Sequence, residues 1–334
     1  MKSKVTSKNE NNFSPLVVEK KRVLVTGGAG FVGSNLIRKL LAKDYRVICL
    51  DNLFSARAEK IEQFRDNRGF EFIRHDITQP FELEVDQIYN LACPASPLYY
   101  QKNPIYTTKT SCLGALHVLA NAQRTGAKVL QASTSEIYGS PQVHPQVEKY
   151  WGNVNPIGPR SCYNEGKRVA ESLFFDYYRE YGIAIKVVRI FNTYGPGMSA
   201  NDGRVITNFI LQALQQKDIT VYGNGEQTRS FCYIDDLTDG LIMMMEEEEY
   251  PGPINLGNPD ERTINSVART IINLTNSPSK IRYLPLPEND PLSRRPDISL
   301  AEKVLKWRPK VSFAVGIKKT IDYFKKNYYG LGGE

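Results

Sequence analysis

The stretch Thr26-Gly27-Gly28-Ala29-Gly30-Phe31-Val32-Gly33 constrains this chain more than any other. It follows an apolar run, Arg22–Thr26, and opens an amphipathic segment, Phe31–Ala42, so it reads as a strand, a glycine turn and a helix. Gly27 permits the tight turn, Gly30 lets backbone approach a pyrophosphate, and Gly33 allows close helix packing. A helix N-terminus placed there, with Phe31 and Val32 in its first turn, offers unpaired N–H groups and a positive dipole end to phosphates. A lone glycine motif also occurs in ordinary loops; here the flanking strand and helix are both in place. Asp51 ends the second apolar run, Arg46–Asp51, and Asn52 follows it. A carboxylate at that place accepts from the adenosine ribose hydroxyls and repels a 2′-phosphate, which favours NAD over NADP.

The same alternation continues. Phe70–His75, Gln87–Ala92, Lys128–Ser133 and Ile185–Ile190 read as further buried strands, and Ile105–Arg124 and Lys167–Tyr181 as helices between them. This predicts an α/β fold, a Rossmann-type doubly wound parallel sheet with a smaller C-terminal substrate-binding domain. Asp76 and Ile77, after the third strand, stand where they meet an adenine, although a strand-end cap explains Asp76 equally well. After Phe191 the alternation loosens, with a helix at Val205–Gln215 and a strand at Ile219–Tyr222. The run Glu246–Glu249 reads as a solvated helix end. Residues 1–21 read as a disordered basic tail.

Charge excludes one class of partner. The net charge is +7, but residues 1–21 carry +3 and residues 294–334 carry +6, leaving the body at −2. No basic stripe marks a nucleic-acid face. No apolar stretch is long enough to span a bilayer, and the N-terminal segment lacks a signal core, so a cytoplasmic protein is expected. Five scattered cysteines and three isolated histidines give no metal-ligand spacing, and no metal site is expected.

Chemistry enters at Tyr163 and Lys167, which share one face of a helix. An ammonium beside the phenol favours the phenolate, so Lys167 is expected to lower the tyrosine pKa and make Tyr163 a base. Ser133-Thr134-Ser135-Glu136 closes the fifth strand, and ligands gather at such carboxyl ends. Hydroxyls there can hold a substrate oxygen while Tyr163 takes its proton.

These features resemble the extended short-chain dehydrogenase/reductase superfamily. Longer strings resemble its UDP-glucuronate decarboxylase family: Asn90-Leu91-Ala92-Cys93-Pro94-Ala95-Ser96-Pro97, Ser161-Cys162-Tyr163-Asn164-Glu165-Gly166-Lys167-Arg168 and Arg294-Arg295-Pro296-Asp297-Ile298 among them. The likeness runs from about Arg22 to Phe324. It implies oxidation of UDP-glucuronate at carbon 4 by NAD, loss of carbon dioxide, and re-reduction to UDP-xylose. In that reaction Tyr163, Lys167 and Thr134 handle the hydroxyl, Ser135 and Glu136 lie beside the sugar carboxylate, positioning it or relaying a proton, and Arg294 fixes it. Leu91 and Thr110 join the cofactor set. Lys109, Asn192, Arg204, Tyr222 and Arg229 are the substrate candidates, the two arginines for the diphosphate. Residues 22–191, rejoined by about 231–258, are expected to hold NAD, and residues 192–230 and 259–334 the UDP-sugar. A homodimer is also implied.

Three positions depart from the family strings: Asn164 where Asp is usual, Gly197 in place of an Arg, and Ala56 in place of a Gly. Two other readings compete. A UDP-glucuronate 4-epimerase needs only the oxidation, and Arg294 weighs against it. An NAD-binding regulatory protein needs no intact Tyr163–Lys167 pair, yet this chain keeps it.

Overall fold

A computed structural model describes residues 20–285 and 293–329. In chain order the first half contains β1 (Arg22–Thr26), α1 (Phe31–Ala42), β2 (Arg46–Asp51), α2 (Glu59–Glu62), β3 (Phe70–Arg74), β4 (Gln87–Asn90), α3 (Pro97–Lys102), α4 (Pro104–Thr125), β5 (Lys128–Thr134), α5 (Ser161–Tyr181) and β6 (Ile185–Ile190). The second half contains β7 (Thr193–Tyr194), α6 (Val205–Leu214), β8 (Ile219–Tyr222), β9 (Thr228–Ser230), β10 (Cys232–Tyr233), α7 (Ile234–Glu246) and β11 (Ile254–Leu256). It ends with β12 (Glu261–Thr263), α8 (Ile264–Thr275), β13 (Ile281–Leu284), α9 (Ser299–Leu305) and α10 (Phe313–Phe324).

The main sheet has the order β11-β6-β5-β4-β1-β2-β3, with parallel pairing throughout. Pleat alternation divides its side chains between two cores. Val23 and Val25 face one side and pack in a cluster with Leu36, Ile37 and Leu40 of α1 and Leu237 and Leu241 of α7. Leu24 faces the other side and joins Val118 and Leu119 of α4 and Ala170 and Phe174 of α5. All of these are fully buried, each stabilising the fold by about 1.5–3 kcal/mol relative to exposure. Strand order reverses between β1 and β4, and the crevice at their carboxyl ends is where such a fold holds a ligand.

Two expectations need correction. The segment Phe70–His75 forms β3, but as the sheet's outer strand it pairs only with β2, and Glu71, Phe72 and Arg74 are exposed. Its apolar residues mark a half-covered edge rather than a buried strand. The helix expected from Lys167 begins six residues earlier, at Ser161, so Tyr163 and Lys167 both lie on α5. The basic tail falls outside the described residues except for Lys20 and Lys21. Strand β11 returns to the sheet beside β6 after β7 to β10 have left it.

α5 is tied to the sheet by a buried ionic network. Arg189 of β6 donates to both carboxylate oxygens of Glu171 on α5, from Nε at 3.0 Å and Nη2 at 2.8 Å. Ser133 of β5 donates to the same carboxylate at 2.5 Å, and Arg189 also donates to the Tyr138 hydroxyl at 3.1 Å. The chain end of β5 and the helix carrying Tyr163 are therefore locked to one another.

Candidate active site

The glycine turn is built by backbone alone. Gly27 has φ +68°, and a Cβ on Gly33 would stand 2.4 Å from the Gly27 carbonyl oxygen. Gly33 thus packs on the turn itself. Gly30 caps α1 without a side chain, and no acidic residue occupies the first turn, so the orphan N–H groups there keep their capacity for an external anion. Asp51 closes the loop from below: one carboxylate oxygen accepts from Ala29 N at 3.1 Å, the other from Leu53 N at 2.8 Å. Burial pushes its carboxyl upward, against the two backbone N–H groups and Lys60, which pull it down.

These residues line an open cleft at the carboxyl ends of β1 and β4, the place where such a fold holds a dinucleotide. Gly27, Gly30, Phe31, Val32, Gly33, Asp51, Asn52, Asp76, Ile77, Leu91 and Thr110, all foreseen as cofactor contacts, share its wall. A phosphate-ready helix end above a ribose-height carboxylate fits NAD. Asp76 serves in two ways: it accepts from Thr78 N at 2.9 Å as a turn cap and also faces the cleft. Its other oxygen accepts from Tyr106 at 2.8 Å and Asn52 at 3.0 Å. Lys60, which the sequence places near Asp51, is on this wall too. Sequence reasoning missed Tyr106 and Tyr99 there; nothing in their local pattern distinguishes them from ordinary helix residues.

Tyr163 is buried on α5, and its ring stacks on Tyr100 of α3 at 5.2 Å with planes 5° apart. Burial pushes its hydroxyl upward and the Cys93 thiol adds to this, while a hydrogen bond with Thr134 and the Arg204 charge work the other way. The lowering expected from Lys167 does not prevail, since the hydroxyl lies above its ordinary value. One N–H of the Lys167 ammonium donates to the Ala132 carbonyl at 2.8 Å, at the end of β5. Thr134 Oγ1 accepts from Glu136 N at 3.2 Å, which leaves its proton to donate to Tyr163. Ser135 is buried beside it.

Glu136 is the electrostatic centre. Arg160 donates to it at 3.1 Å, and Arg294 pairs with the same oxygen. Burial works to raise its carboxyl, but Arg294, Arg160 and Arg229 together hold it below the usual carboxylate range. Arg294 is only 5% exposed, and among the described residues its Nε and Nη2 have no hydrogen-bond partner. A buried guanidinium with two donors unused is built for a second carboxylate. Sequence reasoning missed Arg160 and Tyr100; the place of Arg160 three residues before Tyr163 was the available signal.

The remaining substrate candidates are spread out. Arg204 lies on the cofactor cleft, paired with Asp202 at 2.9 Å. Arg229 is buried, donates to Thr228 O at 2.7 Å and helps to hold Glu136 low. Asn192 is partly buried before β7, Tyr222 is half-exposed at the end of β8, and Lys109 is exposed on α4. Gly197 adopts φ +92° against Asn35, whose side chain donates to Pro196 O at 3.0 Å. No group of His, Cys, Asp and Glu among the described residues could hold a metal ion, and no helix among them is long and apolar enough to cross a membrane.

Comparison with known proteins adds three findings. A family model described as GDP-mannose 4,6 dehydratase matches residues 24–320. The chain is 52% identical over 308 residues to UDP-glucuronic acid decarboxylase 1 of Xenopus tropicalis, covering 92% of this chain and 73% of that one. Among solved structures it is similar to the epimerase Mth375 of Methanothermobacter thermautotrophicus, with TM-score 0.87, 30% identity and 94% of each chain covered. It is also similar to the UDP-glucuronic acid 4-epimerase of Bacillus cereus in complex with UDP-glucuronic acid and NAD, with TM-score 0.83 and 28% identity over 92% of this chain and all of that one.

Proposed function

The chain belongs to the UDP-glucuronic acid decarboxylase family of extended short-chain dehydrogenase/reductases, and on that premise we propose that it converts UDP-glucuronate to UDP-xylose and carbon dioxide with NAD as a recycled cofactor. NAD, when bound, supplies the acceptor for the carbon 4 hydride and gives that hydride back. The glycine turn, the start of α1 and Asp51 hold it.

The chain's own residues do the rest. Tyr163 takes the proton of the carbon 4 hydroxyl, and Thr134 donates a hydrogen bond that stabilises the phenolate. The Lys167 ammonium holds the end of β5 against α5 and adds positive charge to the same face. The oxidised sugar is a β-keto acid, so carbon dioxide departs with its electrons drawn into the new carbonyl. Arg294 grips the carboxylate with Nε and Nη2 while its Nη1 stays on Glu136, which keeps the two carboxylates from meeting directly. Arg204 and Arg229 serve the diphosphate, with Asn192, Tyr222 and Lys109 along the nucleotide.

The observation that carries this reading is Arg294, buried and paired with Glu136, its Nε and Nη2 without a partner among the described residues, while Glu136 in turn acts on the Tyr163 hydroxyl. A 4-epimerase must let the sugar turn over, which a fixed carboxylate opposes. Replacing Arg294 by Ala tests it: carbon dioxide release should fall by about 10²-fold or more, as for a lost charge-assisted contact, while NAD binding stays unchanged. An unaltered rate of release would overturn the role. Homodimerisation through α4 and α5 and action in the cytoplasm complete the proposal. The first is supported by Leu113 and Val169, apolar yet 39% and 42% exposed on those helices. The division into an NAD-holding part, residues 22–191 with 231–258, and a UDP-sugar part, residues 192–230 and 259–334, is supported by the return of β11 to the sheet.

A further inference from the structure

Decarboxylation imposes a demand that the cofactor cleft does not meet. The substrate enters as a carboxylate and leaves as carbon dioxide plus a carbon–hydrogen bond. Tyr163 takes one proton and gives it back, so each turnover consumes one further proton from solvent. With NAD and the sugar nucleotide seated, that proton needs a route of its own.

A second cavity supplies one. It is lined by Glu136, Gly139, Ser140, Asn153, Asn155, Gly158, Pro159, Arg160 and Asn164, none of which lines the cofactor cleft. Ser140, Asn153, Asn155 and Pro159 are exposed and form its mouth, whereas Glu136 and Asn164 lie inside. It leaves about 40 Å³ for the centres of water molecules, room for two or three waters at roughly 10–15 Å³ each. Its wall is fixed by backbone: Ser140 N donates to Asn153 O at 2.9 Å, and Asn153 N to Tyr138 O at 3.0 Å. Gly139, at φ +62°, lets the two strands of that wall meet, since a Cβ there would stand 2.0 Å from Asn153 O.

A polar group inside points to the occupant. Asn164 is 7% exposed, and among the described residues its Oδ1 has no hydrogen-bond partner. A buried carbonyl oxygen of this kind is satisfied by ordered water. We propose that the cavity is a water-filled proton inlet, which carries one solvent proton per turnover to Glu136 and from there to carbon 5 of the sugar. This rests on the decarboxylase reading. The step balances: carbon 5 gains the proton on the electron pair that the departing carbon dioxide left behind. Arg294 holds Glu136 ionised; when Arg294 engages the substrate carboxylate that hold weakens, and Glu136 becomes a better proton carrier.

Single turnovers with UDP-glucuronate in H₂O and D₂O test the inlet, with carbon dioxide release, UDP-xylose formation and the near-ultraviolet absorbance of reduced nicotinamide followed together. In Asn164→Leu, and in Asn155→Trp at the exposed mouth, carbon dioxide and reduced nicotinamide should appear at the wild-type rate. UDP-xylose formation should slow by roughly tenfold, the loss of an assisted proton transfer, with a larger solvent isotope effect confined to that phase. Asn164→Asp, which keeps an acceptor oxygen, should restore the rate. Wild-type decay of reduced nicotinamide in both plugged variants would overturn the proposal, as would equal slowing of both phases. Should Asn164→Leu fail to fold, Asn155→Trp decides alone. A wild-type protein that releases no carbon dioxide would instead sink the decarboxylase reading, so the two failures are distinguishable.

Discussion

Tyr163 gains its place from two neighbours and from its depth: Tyr100 stacks on its ring, Thr134 meets its hydroxyl, and burial raises that hydroxyl above its ordinary value. Replacing it by Phe keeps the ring and the stack but removes the base. Turnover should fall by about 10²–10⁴-fold, with the unfolding midpoint almost unchanged; a retained rate would mean another group takes the proton. Glu136 carries the opposite signature. Its folded carboxyl lies below the free value of 4.5, so the unfolded chain takes up the proton first as pH falls. The stability that Glu136 contributes is therefore fully present above about 4.5 and is lost as pH drops through the folded value. Glu136→Ala should cost about 3–5 kcal/mol at neutral pH by leaving Arg294 and Arg160 uncompensated, and the cost should shrink in acid; denaturant titrations at both pH values measure it. Much at this scale was legible in the sequence. The glycines and Asp51 share one cleft wall, as their places after β1 and at the end of β2 lead one to expect, and a four-residue spacing sets Tyr163 and Lys167 on α5. Tyr100, Arg160 and Tyr106 were not legible, because stacking and ion pairing across α3, α4 and the loop before α5 leave no periodic trace.

At the scale of elements, the site depends on α5 holding one position against β5 and β6. The Arg189–Glu171–Ser133 network does this with a bidentate pair whose side chains are 10% and 12% exposed. Arg189→Met should destabilise by about 3–5 kcal/mol, since it strands a buried carboxylate. Arg189→Met with Glu171→Met should recover much of that loss, and thermal unfolding of the two variants beside the wild type checks both outcomes. The ion pairs between α1 and α7, such as Arg38–Asp235 at 2.9 Å with side chains 51% and 35% exposed, are different. Solvent screens them, and Arg38→Ala should change stability by less than about 1 kcal/mol. Strand and helix identities followed from apolar periodicity, with β1, β2, α1 and β6 matching to the residue. The edge character of β3 did not follow, because a run such as Phe70–Arg74 has the same composition whether one neighbour covers it or two.

For the whole molecule, the doubly wound sheet was legible because each strand–helix unit repeats the same hydrophobic logic. The basic ends lie outside that logic. Together they carry +9 where the body carries −2, and one of their residues, Arg294, folds back to the partly buried Glu136. The half-exposed apolar residues on α4 and α5 argue for a second copy of the chain. Leu113→Asp with Val169→Asp should halve the sedimenting mass while leaving the monomer folded by circular dichroism; an unchanged mass would place the contact elsewhere. On the proposed function, a chain whose Arg294 pairs with Glu136 beside Tyr163 removes carbon dioxide rather than inverting carbon 4. Incubating the purified protein with UDP-glucuronate and following products by NMR with carbon dioxide trapping tests it most directly: UDP-xylose with one equivalent of carbon dioxide is the predicted result, and UDP-galacturonate without carbon dioxide would contradict it.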